Sequence, residues 1–100
     1  MILVVSLWLR GDDVGAFEAL ERDASAVMAR HGGRIDRAVR IDRASAPADA
    51  PFEIDLVRFP DRAALDAYRA DPAVLALASR RDSVIARTVI LGGHDEPPHD

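Results

Sequence analysis

Hydrophobic and polar positions alternate over residues 2–10, with Leu3, Val5, Leu7 and Leu9 on one side and Ile2, Val4, Ser6, Trp8 and Arg10 on the other. A period of two is that of a β-strand, and the first side is wholly apolar. Gly11 breaks the strand. Asp12 or Asp13 can then cap a helix on which Val14, Phe17, Leu20, Ala24, Val27, Met28 and His31 recur at spacings of three and four. His31-Gly32-Gly33 ends it, because glycine takes the left-handed conformation that closes a helix.

Residues 34–42 place Ile35, Val39 and Ile41 on one side, interrupted by Arg37, and charged residues mainly on the other, which predicts a half-exposed strand of the kind found at a sheet edge. A loop of alanine, proline and small polar residues follows, and its composition predicts mobility. Residues 52–59 alternate again, Phe52, Ile54 and Leu56 against Glu53 and Asp55, with Val57 and Phe59 making the end more apolar. Pro60-Asp61 stops this third strand and caps a short helix carrying Ala64, Leu65 and Tyr68. Asp71-Pro72 interrupts that helix and starts another, predicted to run to about Ile85 and to bury Val74, Leu75, Leu77 and Ala78. Residues 86–92 complete a fourth strand. The polar, proline-containing tail, residues 94–100, is expected to be disordered, leaving residues 1–93 as one domain.

The order βαββαβ is the ferredoxin-like arrangement, an α+β fold with an antiparallel sheet and both helices on one face. The apolar side of the first strand should meet the helices. Ile2, Val4, Trp8, Val57 and Phe59 are expected on the opposite, open face, together with Ser6, Arg10, Glu53 and Asp55. No helix remains to cover that face, so a homodimer packed sheet to sheet is predicted.

One hundred residues, 49% of them hydrophobic, suffice for a single domain with its own core. Cysteine is absent, which removes disulfides and thiolate metal sites and makes a cytoplasmic location the default expectation. The apolar opening is too short to span a bilayer, so no membrane association is expected. Net charge is −4, and all thirteen basic residues are arginine, scattered among acids rather than gathered on one face. That distribution argues against nucleic acid as a partner.

The run FEIDLVRFPDRAALDAYRADP, residues 52–72, resembles the dimeric α+β barrel superfamily, and so do the earlier HGGRI and the later TVILGG. Within that superfamily it is most similar to a family of small bacterial proteins designated only as a domain of unknown function. More distantly it resembles the antibiotic-biosynthesis monooxygenases. The resemblance covers residues 2–93 and rests on Phe59-Pro60 closing a strand and Pro72 opening a second helical segment. Where the family often has Trp-Tyr, Ala67-Tyr68 keeps the tyrosine alone. The resemblance implies a dimeric eight-stranded barrel. Relatives in the superfamily include cofactor-independent oxygenases, isomerases and haem-binding proteins, so the fold does not choose a chemistry.

His31, the one histidine inside the expected domain, is the candidate catalytic residue, able to exchange protons near neutral pH. Its place at a helix end equally suits carbonyl capping. Trp8 and Tyr68 are candidate substrate contacts, one to stack a flat ring and the other to hydrogen-bond an oxygen, although core packing explains both. Arg10, Arg58 and Arg87 can hold a carboxylate, but salt bridges to Glu53 and Asp55 are the expected role. Glu53 and Asp55, about 7 Å apart on one strand side, have the spacing for two-carboxylate chemistry or a metal. No histidine completes a metal site there, and a solvated or paired face is expected. The tail residues His94, Asp95, Glu96, His99 and Asp100 lack the rigidity for a defined ion site. Phosphate-cradling loops, a serine elbow, zinc spacings and dinucleotide fingerprints are absent, and no metal or cofactor is expected.

Two functions follow. The chain handles a small hydrophobic ligand as a cofactor-independent oxygenase or isomerase of a carbonyl compound, or it is a non-catalytic ligand-binding or assembly module.

Overall fold

A computed structural model describes residues 1–98; His99 and Asp100 of the expected tail lie outside the described residues. The elements run β1 (Ile2–Leu9), α1 (Val14–Arg30), β2 (Arg34–Arg40), β3 (Glu53–Arg58), α2 (Arg62–Ala70), α3 (Pro72–Leu75), α4 (Ala78–Val84) and β4 (Ile85–Gly93). They form one four-stranded sheet in the order β2-β3-β1-β4, antiparallel throughout. This is the predicted ferredoxin-like α+β fold, with β1 and β3 central and the helices on one face.

Aspartates set the helix starts. The Oδ1 atoms of Asp13, Asp61 and Asp71 accept hydrogen bonds from the backbone N–H groups of Ala16, Ala64 and Ala73, at 2.9, 2.8 and 2.8 Å. The helix predicted from Pro72 to Ile85 is two short helices, separated by a turn at Ala76-Leu77 whose dihedrals stay in the right-handed helical region. Leu77 packs on the core and Val74 turns inward, but Leu75, 61% exposed, and Ala78 face outward, contrary to expectation. Gly32, at φ +72°, closes α1 in the left-handed conformation.

The core has two clusters. Leu3, Val57, Phe59 and Leu65 form one; Leu7, Phe17, Leu20 and Ile85 form the other. Both lie between sheet and helices, which overturns the predicted placement of β3. In the antiparallel register Leu3 stands opposite Val57, Val5 opposite Asp55 and Leu7 opposite Glu53. Residues directly opposite share a face, so Val57, Asp55 and Glu53 join the apolar side of β1, and Phe59 is buried with them. The core gains more from Val57 and Phe59 than from Ile54 and Leu56, and the period of two carries the acids inward with them.

The open face therefore holds a different set. Ile2, Val4, Ser6 and Trp8 of β1 are flanked by Ile54 and Leu56 of β3, Val39 of β2, and Val89 and Leu91 of β4. Leu56, Val39 and Leu91 are exposed there. Its polar members include Arg34, Arg37, Arg58 and Arg87, not Glu53 and Asp55. Arg58 is held by Asp36 and, at 2.8 Å, by Asp95 of the C-terminal segment. Among the described residues no helix is long and apolar enough to cross a membrane.

Candidate functional site

A cavity of roughly 270 Å³ lies between the sheet and the helices. Its walls are largely apolar: Leu3, Val5 and Leu7 of β1, Val57 and Phe59 at the end of β3, Ala24 and Met28 of α1, Leu65 of α2, Val74 of α3 and Ile90 of β4. Five polar side chains also line it: Asp55 from the sheet, Glu21 from α1, Tyr68 and Arg69 from α2, and Arg81 from α4. A largely apolar cleft with a few converging polar groups is the usual form of a small-molecule site.

Asp55 is the central group. It is 2% exposed, and its Oδ1 has no hydrogen-bond partner among the described residues. Burial raises its pKa to about 8; a hydrogen bond shared with Glu53, and the negative charges of Glu53 and Glu21, act in the same direction, while Arg40 opposes them. The side chain is thus a neutral carboxylic acid over much of the physiological range, poised to exchange a proton close to neutral pH. Glu21 is also pushed up by burial and by Glu53, against the pull of Arg81. Burial likewise raises Tyr68, which keeps its phenol protonated and able to donate.

Glu53 has a different fate. It is 6% exposed and ion-paired with Arg40, whose Nη2 lies 3.0 Å from its Oε1. Arg40 also stacks over Phe52, 4.4 Å from the ring centroid, and Phe52 meets Phe17 edge to face. This buttress fixes the Glu53 side chain beside Asp55, where its hydrogen bond and charge add to burial in raising the Asp55 pKa. The solvated or paired face expected here is a buried carboxyl pair, of which Glu53 is ion-paired, with Arg40. The sequence does show the signal, two acids alternating with large apolar residues on one strand, but it does not say which side of the strand is covered.

Of the three residues singled out from the sequence, only Tyr68 lines this cavity. His31 lies at the end of α1, where its Nε2 is 2.9 Å from Oδ2 of Asp71. That contact, with the Ala73 N–H, holds the Asp71 carboxyl below the usual range. His31 and Tyr68 rings meet edge on at 6.4 Å, so the histidine backs the tyrosine from outside. Trp8 sits at the far end of the sheet, its indole N–H donating to the Asp49 carbonyl at 2.9 Å and its ring beneath the Arg87 guanidinium at 4.6 Å. It borders a separate hollow with Phe52, Arg43 and Val14. Among the described residues no group of three or more His, Asp or Glu side chains is arranged to hold a metal ion.

The architecture is that of a ferredoxin-like α+β domain, in agreement with the fold read from the sequence. Solved structures share this fold. A protein of unknown function from Rhodopseudomonas palustris superposes with a TM-score of 0.74 at 19% identity, over 95% of this chain and 82% of that one. SnoaB, a cofactor-independent oxygenase from Streptomyces nogalater, gives 0.66 at 18% identity, over 98% and 96%. A dabb family protein with a ferredoxin-like fold from Mesorhizobium loti gives 0.64 at 18% identity, over 90% of each chain. At these identities the likeness is one of fold. No family model and no curated protein matches the sequence.

Proposed function

We propose that the chain binds a small, mainly apolar carbonyl compound in the cavity between sheet and helices and moves a proton on it. The observation that carries this reading is Asp55, buried at the cavity wall with an unpartnered oxygen and a pKa raised to about 8. When ionised, Asp55 removes a proton from the carbon beside the carbonyl. Tyr68 donates a hydrogen bond to the oxygen on which negative charge develops. Returning the proton to a different carbon makes the chain an isomerase, and that step needs no co-reactant. Reaction of the same carbanion with dioxygen makes it an oxygenase, the activity named for SnoaB.

The proposed assembly is a homodimer through the open sheet face. Leu56, Val39 and Leu91 are exposed there beside the half-buried Ile2, Val4, Ile54 and Val89. A second copy laid sheet to sheet removes this patch from water, and the two four-stranded sheets then form the barrel.

The test uses 2-tetralone, a bicyclic ketone, and follows replacement of its α-protons by deuterium in D2O. The protein should accelerate exchange, and Asp55→Asn should abolish the acceleration while still folding. Thermal stabilisation by the ketone without any exchange would overturn the catalytic reading and favour a ligand-binding module. Neither stabilisation nor exchange would remove the cavity from consideration.

A further inference from the structure

The cavity carries a second kind of polar group that proton transfer to a neutral ketone does not use. Arg69 and Arg81 both line it, from α2 and α4. Neither guanidinium has a carboxylate within ion-pair distance among the described residues, whereas Arg34, Arg40, Arg58, Arg62 and Arg80 are paired. Arg81 is half-buried and directs its Nη2 to Oγ1 of Thr88 on β4, at 3.0 Å. That bond anchors one arm of the guanidinium and leaves the remaining N–H donors for something else.

The acids that share the cavity do not meet this demand. Glu21 feels Arg81 but forms no ion pair with it, and burial inclines it toward its neutral form. Asp55 is held toward its neutral form by burial first, and then by Glu53 beside it on the strand. The two permanent cations are thus not matched by ion-paired carboxylates in the cavity. Guanidinium groups recognise planar oxyanions by paired hydrogen bonds, which a neutral ketone does not supply.

Resting on the reading above, we propose that the substrate carries a carboxylate at the end remote from its carbonyl, and that Arg69 and Arg81 hold that carboxylate while the carbonyl end lies against Asp55 and Tyr68. Arg69 and Arg81 line the cavity from α2 and α4 and Asp55 lines it from β3; in the proposed pose they hold the two ends of one molecule. The carboxylate fixes which carbon is presented to Asp55, and the preference for an anion excludes neutral ketones of the same shape.

A matched pair of probes tests this: 2-tetralone and the same ketone bearing a carboxylate on its aromatic ring, 6-oxo-5,6,7,8-tetrahydro-2-naphthoate. Dissociation constants are measured by calorimetry for the unaltered chain, Arg69→Gln, Arg81→Gln and the double variant. The carboxylate should bind about ten- to a hundredfold more tightly than the neutral ketone, the range for charge-assisted hydrogen bonds. That ratio should fall toward one in the double variant, and added salt should reduce it. Equal binding of the two probes, with exchange still dependent on Asp55, would overturn the anion inference and leave the carbonyl reading intact. A preference that persists undiminished in the double variant would also overturn it. Failure of both probes to bind would instead refute the cavity reading on which the proposal rests.

Discussion

Gly33 lies directly against the ring of Phe59: a β-carbon at Gly33 would overlap the ring edge. Beside it, a β-carbon on Gly32 would meet Cγ of Pro60 at 2.8 Å. The Gly-Gly pair that ends α1 and the Phe-Pro pair that ends β3 are therefore one packing unit, and Phe59 reaches full burial because Gly33 has no side chain. Gly33→Ala should destabilise the fold by about 1–3 kcal/mol, the usual cost of overpacking a tight site. The urea midpoint would fall accordingly. An unchanged midpoint would mean that the ring can move aside.

Element order and sheet topology were legible in the sequence because each signal was local. Alternation marked β1, the Asp residues marked helix starts, and Gly32 marked the end of α1. The side of β3 that faces the helices was not, since alternation gives two faces and no label for either. Ile54 and Leu56 looked as suitable for the core as Val57 and Phe59, and only pairing with Leu3 and Leu7 decides between them. That one ambiguity hid the site. The local pattern likewise does not show that His31 and Trp8 are engaged elsewhere, with Asp71 and Asp49, which lie 40 and 41 residues away in sequence. The position of Tyr68, which lines the cavity, is legible because a helix following a strand-ending Phe-Pro is itself a local feature.

Stability should depend on pH through Asp55. Its ordinary pKa is 3.8 and its folded value about 8, so between these the native state binds more protons than the unfolded chain. Stability then falls as pH rises across that window and levels off above it. Glu21, shifted in the same direction, adds to the slope. Urea unfolding of the unaltered chain and of Asp55→Asn from pH 4.5 to 8.5 would measure the effect. The variant should show a distinctly flatter dependence, and parallel curves would mean that Asp55 ionises normally.

Disrupting the open face should release monomers. Leu91, 60% exposed, stands opposite Val4 on that face, and Leu56 opposite Val4 from the other side. Introducing charge there leaves the helix-covered core untouched. The double variant Leu56→Arg, Leu91→Glu should keep the circular dichroism of the unaltered chain. Its mass by light scattering should be 10.9 kDa, against twice that for the unaltered chain. A monomeric unaltered chain would refute the sheet-to-sheet dimer outright.

The pH profile of ketone exchange separates Asp55 from His31 as the group that moves the proton. If Asp55 is the base, the enzyme-dependent rate should rise with pH and bend near 8, following ionisation of the buried carboxyl. Tyr68→Phe should lower the rate at every pH without moving the bend, because a hydrogen-bond donor to the developing oxyanion is lost while the base remains. His31→Ala acts through structure. It removes the bond to Asp71 at the junction of α2 and α3 and the edge contact behind Tyr68, so the urea midpoint should drop while the bend in the profile stays in place. A bend that disappears in His31→Ala but survives in Asp55→Asn would transfer the proton chemistry to the histidine.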